Sequence, residues 1–293
     1  MTDKHCSGSP QQILLATDLT PACDRAFDRA VQLARMWQAK LTVVHVVETG
    51  EREVIGVSRR TSVASAEVHR LLKPYRDQSD LKLSHHLSFG NAAEALLAQA
   101  REIKCDFLIT GLAYAKTFGE KLIGSTVEQL IREAQVPVLS VRQRTYQPYR
   151  SIAVSVDFSE PSRHALDRAL GLFPDARFTA VHAYNIGYKG IAPPQSDIGK
   201  YEETKQSDVT AMIQSAMDKF LADSGQPRPS MRSHFRHGDP DEVLKAFVEF
   251  DDPDLVVIGT HGRTGLRRAL IGSVAARLLN TLPCDVLAVH PQA

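Results

Sequence analysis

The sequence Asp254-Leu-Val-Val-Ile-Gly-Thr-His-Gly262 joins an apolar run to a glycine-bounded turn, and Gly272-Ser273 follows nine residues later. The helical pattern Val274-Ala-Ala-Arg-Leu-Leu279 comes directly after it. We therefore predict a buried strand, a loop, and a helix that begins at Gly272-Ser273. Glycine lets the backbone approach an anion closely, and a helix N-terminus offers free N–H groups and a partial positive charge. The stretch thus predicts a phosphate-binding loop at the end of a buried strand.

The chain repeats itself once, and the repeat indicates the number of domains. Six segments of the first half match, in the same order, six segments of the second half. The matched pairs are 13–18 with 152–157, 43–46 with 180–183, 89–94 with 237–242, 106–111 with 254–259, 122–125 with 270–273, and 138–141 with 286–289. A period of almost half the chain indicates two domains rather than a solenoid. Because the polar segment 142–150 separates the copies, we predict domains at 11–143 and 150–291.

Each half alternates short apolar runs with helical patterns. In the second half we predict strands near 151–156, 178–183, 231–236, 254–258 and 285–289, and helices near 160–172, 200–223, 240–250 and 272–282. Near-continuous apolar strands are typical of a parallel sheet covered on both faces. The alternation of strands with helices predicts right-handed crossovers, and hence an α/β protein with a doubly wound sheet in each half. The first half follows the same plan.

Composition limits the partners and the compartment. The 293 residues carry a formal net charge of +1, which gives no strong field to attract nucleic acid or a membrane surface. The first ten residues lack an apolar core, so we expect no signal peptide. Cysteines at positions 6, 23, 105 and 284 form no Cys-x-x-Cys pair, so we interpret them as free thiols of a reducing cytoplasm.

An aspartate ends the first strand of each half, Asp18 in one and Asp157 in the other. Thr20 and Ser159 are natural N-caps for the helices that follow, which leaves the two carboxylates free for another use. In a doubly wound sheet, ligands bind at the carboxyl ends of strands, where a carboxylate accepts a hydrogen bond from an exocyclic amine or a ribose hydroxyl. The alternative is a loop aspartate that binds local backbone N–H groups. Spacing alone does not separate the two, and the glycine motif favours the ligand.

Together these residues resemble the universal stress protein family, whose signature is Gly, two residues, Gly, nine residues, Gly, then Ser or Thr. Gly259, Gly262, Gly272 and Ser273 match it position for position. The resemblance covers nearly the whole chain as two tandem copies, except the first ten residues and the linker. It implies, in each half, a five-stranded parallel sheet of order 3-2-1-4-5 with helices on both faces. The first and fourth strands would then flank one crevice.

The resemblance also implies ATP as the ligand, with Mg²⁺ as the accompanying ion, and a role as a regulator or sensor in stress responses. By this analogy Asp157 meets the adenine or ribose end, the backbone of Ala183 meets the adenine, Gly259 and Gly262 line the ribose and phosphates, and Gly272, Ser273 and Val274 hold the terminal phosphates. Arg263, which follows the second glycine, is a further candidate for contact with the phosphates. Its alternative is a solvated surface residue.

The first half departs from this pattern. Its corresponding residues are Asp18, Val46, Gly111, Gly124 and Ser125, but Tyr114 stands where the second glycine belongs. A tyrosine there is strained if the position needs a positive φ, and its ring would fill space that a phosphate needs. We therefore predict a weaker nucleotide site in the first half. The alternative is that local backbone changes keep this site open.

Three other functions compete with nucleotide binding. The sequence has no P-loop and no Gly-x-Ser-x-Gly elbow, so we expect no enzyme beyond slow ATP hydrolysis. As an interaction module, the chain would use its long loops, 49–62 and 186–200, and its apolar edge strands, 136–141 and 285–289. Family members dimerise through such edges, so the two halves are expected to form an intramolecular pseudo-dimer, with a homodimer through other surfaces as a further alternative.

Metal binding is the third competitor. His85 and His86 are neighbours on a predicted strand, so their side chains point to opposite faces and make a poor ligand pair. His234 and His237 could approach each other near a strand-to-helix turn, but no further ligands accompany them. We therefore expect no structural zinc.

Overall fold

The computed structural model describes residues 8–48, 57–76, 78–111, 125–185, 198–222, 231–260 and 272–291. Five residues named in the sequence analysis lie outside these ranges: Cys6, Tyr114, Gly124, Gly262 and Arg263. The described residues form an α/β structure in which one ten-stranded sheet carries helices on both faces.

The first half contains five strands and four helices within its described residues. They are β1 (Gln12–Thr17), α1 (Asp24–Trp37), β2 (Lys40–Val47), α2 (Val57–Leu72), β3 (Lys82–Phe89), α3 (Ala92–Glu102), β4 (Phe107–Gly111), α4 (Ser125–Glu133) and β5 (Val138–Val141). All five residues of β4 are buried, as a parallel strand covered on both faces requires. The Asn91 side chain caps α3 by accepting hydrogen bonds from the N–H groups of Ala93 and Glu94.

The second half repeats this order of elements. They are β6 (Ser151–Ser155), α5 (Glu160–Leu172), β7 (Arg177–Tyr184), α6 (Ile198–Ala222), β8 (Arg232–His237), α7 (Pro240–Asp251), β9 (Leu255–Gly259), α8 (Ser273–Thr281) and β10 (Asp285–Val289). Every strand and helix predicted for this half is present, with ends that differ by no more than two residues. In the first half, the expected loop at 49–62 is wrong for its last part, because α2 begins at Val57. Ala64, Val68 and Leu72 are spaced by four and bury one face of that helix.

The strand order is β3-β2-β1-β4-β5-β10-β9-β6-β7-β8. Each half therefore has the order 3-2-1-4-5, and every pairing within a half is parallel. The two halves meet where β5 pairs antiparallel with β10, with Leu139 opposite Leu287. The apolar edge strands thus pair with each other inside one chain. Because this one pairing is antiparallel, the strands of the two halves run in opposite directions. Their carboxyl ends therefore point to opposite ends of the sheet along the strand direction.

Two hydrophobic layers cover the two faces of the sheet, and both run through the pairing of β5 with β10. One layer lies under α1, α2, α5 and α6 and includes Leu139 and Leu287. The other lies under α3, α4, α7 and α8 and includes Val138 and Val286. These four strand residues are at most 1% exposed, and full burial of such a side chain stabilises by roughly 1.5–3 kcal/mol. The two halves therefore share a continuous core.

A buried carboxylate fastens the linker between the halves. Asp285, which is 0% exposed, accepts hydrogen bonds from the backbone N–H groups of Arg142 (2.7 Å) and Gln143 (2.9 Å) and from the Tyr149 hydroxyl (2.6 Å). The Arg29 Nε atom lies 3.5 Å from Asp285 Oδ2, and its guanidinium stacks 4.0 Å above the centre of the Tyr149 ring. Burial, and then the charge of Asp285, raise the pKa of Tyr149 well above its ordinary value, so the hydroxyl stays protonated.

Three of the four cysteines lie in described residues, and all three are buried free thiols, as the sequence predicts. Burial is the first cause that raises the pKa of Cys23, Cys105 and Cys284 to about 12 in each case. Such thiols are protonated and unreactive at neutral pH. No helix among the described residues has the length and apolar character needed to span a membrane.

Candidate functional site

The second-half crevice is a cavity of about 360 Å³ at the carboxyl ends of β6, β7 and β9. Its lining brings together six of the eight residues predicted for this site: Asp157, Ala183, Gly259, Gly272, Ser273 and Val274. The other two, Gly262 and Arg263, lie outside the described residues. The volume falls within the roughly 300–1,000 Å³ of small-molecule sites. Residues more than 100 positions apart in sequence thus converge on one site.

The carboxylates after β1 and β6 make local hydrogen bonds. Asp157 Oδ1 accepts from the backbone N–H (3.0 Å) and the hydroxyl of Ser159, and Asp18 Oδ1 accepts from the same two groups of Thr20 (2.9 and 2.7 Å). The expectation that capping leaves these carboxylates free is therefore wrong for one oxygen of each, because an aspartate reaches the N–H two residues ahead of it. Asp157 Oδ2 binds no other described residue, so it remains an acceptor within the crevice.

The two helices that follow these aspartates begin differently. Ser159 is the N-cap of α5, and its Oγ accepts from the N–H of Ser162 at 3.3 Å, which confirms the predicted cap. Thr20 accepts no capping hydrogen bond through its side chain, so that prediction is wrong. Its hydroxyl is turned toward Asp18 instead and donates to that carboxylate. Only the second half thus combines the aspartate turn with a side-chain cap.

The N-terminus of α8 presents unsatisfied N–H groups to the second-half crevice. The N-cap residue Gly272 provides no side-chain hydrogen bond, and its own N–H donates to the Thr260 carbonyl at 2.9 Å. The first intrahelical bond runs from Ala276 to Gly272, so the N–H groups of Ser273 and Val274 have no partner among the described residues. An anion is the group that such a terminus binds best.

The fold itself does not require glycine at position 272. Its φ of −56° is available to any residue, and a Cβ added there would lie 3.5 Å from the Thr260 oxygen, an ordinary van der Waals distance. Neither the backbone nor the packing of the described residues, which exclude 261–271, therefore explains the absence of a side chain. Glycine at this position leaves room for a ligand to approach the α8 N-terminus closely.

The first-half crevice, at the carboxyl ends of β1, β2 and β4, is an open cavity of about 730 Å³. Asp18, Val46 and Gly111, three of the five residues named for the first-half site, line it. Gly124 is outside the described residues, and Ser125 is the first residue of α4, whose Thr126 and Val127 line the cavity. This crevice is about twice as large as the other because Arg59, Arg60, Val63, Ala64 and Glu67 of α2 extend its wall, whereas no described residue of α6 does so. A weaker site in this half stays a prediction.

The aspartate in the first-half crevice has a buried thiol as its neighbour. Burial raises the pKa of Asp18, but hydrogen bonds from Cys23 and Thr20 outweigh it and leave that pKa below 3.8. Cys23 corresponds in the repeat to Ser162, which lines the second-half crevice. The two crevices thus share an aspartate but differ in the small side chain beside it.

Sequence reasoning missed one histidine in each crevice. His45 on β2 and His182 on β7 line the two cavities at equivalent positions of the repeat. The Nδ1 atom of His45 lies 2.9 Å from the Thr17 carbonyl oxygen, and that of His182 lies 2.7 Å from the Val156 carbonyl oxygen. Their signal in the sequence was a histidine at the same place in two otherwise apolar strands.

Four further histidines, His69, His85, His234 and His237, contact another ring. His234 lies against Phe247, with ring centres 5.0 Å apart, and His237 lies 5.8 Å from Tyr184. The idea that His234 and His237 approach each other is wrong, because residues three apart on β8 point to opposite faces. His85 on β3 contacts His69 of α2, with ring centres 5.2 Å apart. In the part of the chain that the structure describes, no three metal-binding side chains cluster.

Comparisons with known proteins agree on one family. The model of the universal stress protein family matches the chain twice, at residues 10–142 and 148–290. The universal stress protein E homolog of Haemophilus influenzae is 24% identical over 225 residues, which cover 72% of this chain and 71% of that protein. Universal stress protein E of Escherichia coli K12 is 27% identical over 55% of this chain, and the match spans about half, 53%, of that relative.

A solved structure shows the same fold along the whole chain. The putative universal stress protein of Pseudomonas aeruginosa UCBPP-PA14 superposes with a TM-score of 0.67. The superposition covers 99% of this chain and 96% of that one at 21% sequence identity. At this identity the similarity concerns the fold.

Proposed function

Because the chain belongs to the universal stress protein family, we propose that it binds ATP, accompanied by Mg²⁺, in the second-half crevice and acts as a regulator or sensor in stress responses. The observation that carries the proposal is the N-terminus of α8, where Ser273 and Val274 offer unpaired N–H groups inside a cavity that Asp157 also lines. An anionic group at the helix and a hydrogen-bond donor at the carboxylate would satisfy both ends. A nucleotide has both groups, with phosphates at one end and ribose hydroxyls and an exocyclic amine at the other.

Each residue has a defined part in this proposal. Ser273 and Val274 would hold the terminal phosphates through their backbone N–H groups, and Gly272 would leave room for them. Asp157 would accept from the nucleoside through Oδ2, while Oδ1 stays with Ser159. The backbone of Ala183 would meet the base. We assign Gly259, Gly262 and Arg263 to the ribose and phosphates, and Mg²⁺ would offset the phosphate charge.

The first-half crevice would be the weaker nucleotide site, with Asp18, Val46, Gly111, Gly124 and Ser125 in the same places. We further propose that 11–143 and 150–291 are the two domains, which the matches of the family model at 10–142 and 148–290 support. A sensor needs two states that differ in affinity for the nucleotide. Segments 49–56 and 186–197 lie outside the described residues, and we propose them as ligand-responsive or partner surfaces.

Two observations concern the alternatives to ATP binding, which are another nucleotide and an interaction module. One solved universal stress protein is described in complex with cAMP, but its TM-score of 0.38 gives it no weight for the ligand of this chain. An interaction module that uses its sheet edges has lost two of them, because β5 and β10 pair with each other. The open edges, β3 and β8, carry Lys82 and Arg232, and such charges discourage further strand pairing.

The experiment combines identification of the ligand with one matched pair of variants. Mass spectrometry of small molecules released from the purified protein identifies the ligand, and calorimetric titration gives the affinity for Mg-ATP. We expect Gly272→Ala to weaken the affinity at least about tenfold, equivalent to about 1.4 kcal/mol, because its Cβ occupies space beside the phosphates. We expect the fold to be unaffected, since among the residues that the structure describes that Cβ meets only the Thr260 oxygen, at 3.5 Å.

Gly171→Ala is the control. Gly171 lies in α5, and a Cβ there would meet nothing within 4 Å, so this variant should bind ATP as the unchanged protein does. Gly262→Tyr, which puts the residue of the first half into the second half, should abolish binding. Unchanged affinity in both Gly272→Ala and Gly262→Tyr would refute the assignment of the site. No released nucleotide and no thermal shift with ATP would favour the interaction module.

A further inference from the structure

The turn that carries the crevice aspartate is built in the same way in both halves. A histidine on the neighbouring strand bonds the carbonyl of the residue just before the aspartate: His45 bonds Thr17, and His182 bonds Val156. The residue just after the aspartate has a left-handed backbone in both copies, with φ of 61° at Leu19 and 63° at Phe158. The geometry is thus repeated even where the residues differ.

The hydrogen-bond partner fixes the proton on each imidazole. A carbonyl oxygen only accepts hydrogen bonds, so Nδ1 must carry the hydrogen in both histidines. His182 is 7% exposed, and a bond shielded from water to this extent holds its geometry firmly. Val156 is therefore bound to β7 twice: its N–H donates to the Val181 carbonyl at 2.9 Å, and its carbonyl accepts from His182.

The left-handed residue makes this tie important. A bulky residue at positive φ is strained and persists only where its surroundings hold it. The His182 ring lies against Phe158, with ring centres 4.4 Å apart. His182 therefore holds the residue before Asp157 through its Nδ1 atom and the residue after it through its ring face. In the first half Leu19 offers no ring, so His45 holds its turn by the hydrogen bond.

We propose that His182 is a positioning residue of the second-half crevice. It sets the Asp157 turn through its Nδ1–H bond to the Val156 carbonyl, and His45 performs the same task for Asp18. The proposal deepens, and rests on, the assignment of Asp157 to the nucleotide. It predicts that affinity for the ligand depends on a histidine atom that faces the protein backbone.

A pair of amide variants separates the two ring nitrogens. In His182→Asn the amide nitrogen is as many bonds from the backbone as Nδ1, whereas in His182→Gln it replaces Nε2. We expect His182→Asn to keep Mg-ATP affinity within about threefold of the unchanged protein, and His182→Gln to lose about tenfold, the usual effect of one hydrogen bond. Retained affinity in the Gln variant with loss in the Asn variant would show that Nε2 contacts the ligand, and would overturn the proposal.

A second readout needs no ligand. The Ser159 amide donates to Asp157 Oδ1, so its hydrogen exchange measured by NMR reports the turn directly. Exchange should accelerate about tenfold in His182→Gln and remain within about threefold in His182→Asn. His45→Gln is the internal control, since it should accelerate exchange at Thr20 and leave Ser159 unchanged. Equal Ser159 protection in both His182 variants would refute positioning.

Phe158→Leu, which introduces the residue of the first half, is a second test that can be made even if a His182 variant does not fold. It removes the ring contact and keeps the Nδ1 bond, so Ser159 exchange should accelerate less than in His182→Gln. An effect at least as large as that of His182→Gln would assign the turn to the ring contact and contradict the role of Nδ1. If the unchanged protein binds no Mg-ATP, the proposed function fails, and Ser159 exchange still decides whether His182 positions the turn.

Discussion

Replacement of Asp285 by alanine tests how the two halves are fastened together. The substitution removes the acceptor of two backbone N–H groups, at Arg142 and Gln143, and of the Tyr149 hydroxyl, and it leaves the Arg29 guanidinium buried without its carboxylate. Arg29 is 3% exposed, and breaking a buried ion pair by removing one partner costs about 3–5 kcal/mol. Water can enter the vacated space and satisfy part of the N–H groups, so we expect a loss of about 4 kcal/mol in the free energy of unfolding.

Urea denaturation measures this loss, and Asp254→Ala is the matched control. Asp254 also binds two backbone N–H groups, those of Arg150 and Ser151, but at a less buried site and without a buried arginine. Its replacement should cost about 1–2 kcal/mol. In Arg29→Met/Asp285→Ala the stranded charge is gone, so the double variant should be more stable than Asp285→Ala alone. A loss below about 1 kcal/mol for Asp285→Ala, or a double variant less stable than the single one, would refute the reasoning.

Three further predictions concern stability. Burial raises the pKa values of Cys23, Cys105 and Cys284 from 9.0 to about 12. As pH rises from 9 toward 12, these thiols therefore lose their protons in the unfolded chain before they do so in the folded protein. The free energy of unfolding should fall over this range by about 1.4 kcal/mol per pH unit for each thiol. Urea titrations at pH 8, 9 and 10 check this, and a Cys105→Ala variant should show a shallower slope. Asn91→Ala removes the cap of α3 and should cost about 1 kcal/mol in urea, whereas an unchanged midpoint would mean that water replaces the cap. Asp252, the C-cap residue that follows α7, has a φ of 42°, so Asp252→Gly should raise stability by about 0.5–1 kcal/mol, and a fall would contradict the strain argument.

The strands themselves were predictable from the sequence because each is a short apolar run and each half repeats the pattern, whereas their order in the sheet, 3-2-1-4-5, was an expectation from the family resemblance. The positions of Asp157, two residues beyond β6, and of Gly259, the last residue of β9, were predictable because the end of an apolar run is visible in the sequence. Their hydrogen bonds were not. Asp157 binds Ser159 because Phe158, the residue between them, has a left-handed backbone. The pattern of side chains in the sequence does not predict this backbone conformation.

The missed roles of His182 and Asp285 share one physical cause, which is a partner from a distant part of the chain. His182 looks like a polar interruption of an apolar strand, and its role depends on a carbonyl 26 residues away. Asp285 looks like the first residue of a strand, but its partners lie in the linker and in α1, 136 or more residues earlier. Periodicity reports which face a residue takes, whereas these roles depend on which strand or helix lies opposite that face.

The antiparallel pairing of β5 with β10 also has a consequence for dilution. Two separate copies of such a domain would meet at this edge in proportion to their concentration, whereas a short linker keeps the two edges at an effective concentration of the order of millimolar. The joint should therefore survive at any protein concentration in the cell. Because β5 and β10 always pair with each other, the two edge strands do not need identical sequences. Asp285 is one such difference: its counterpart in the first half is Pro137, which has no carboxylate to bind the linker.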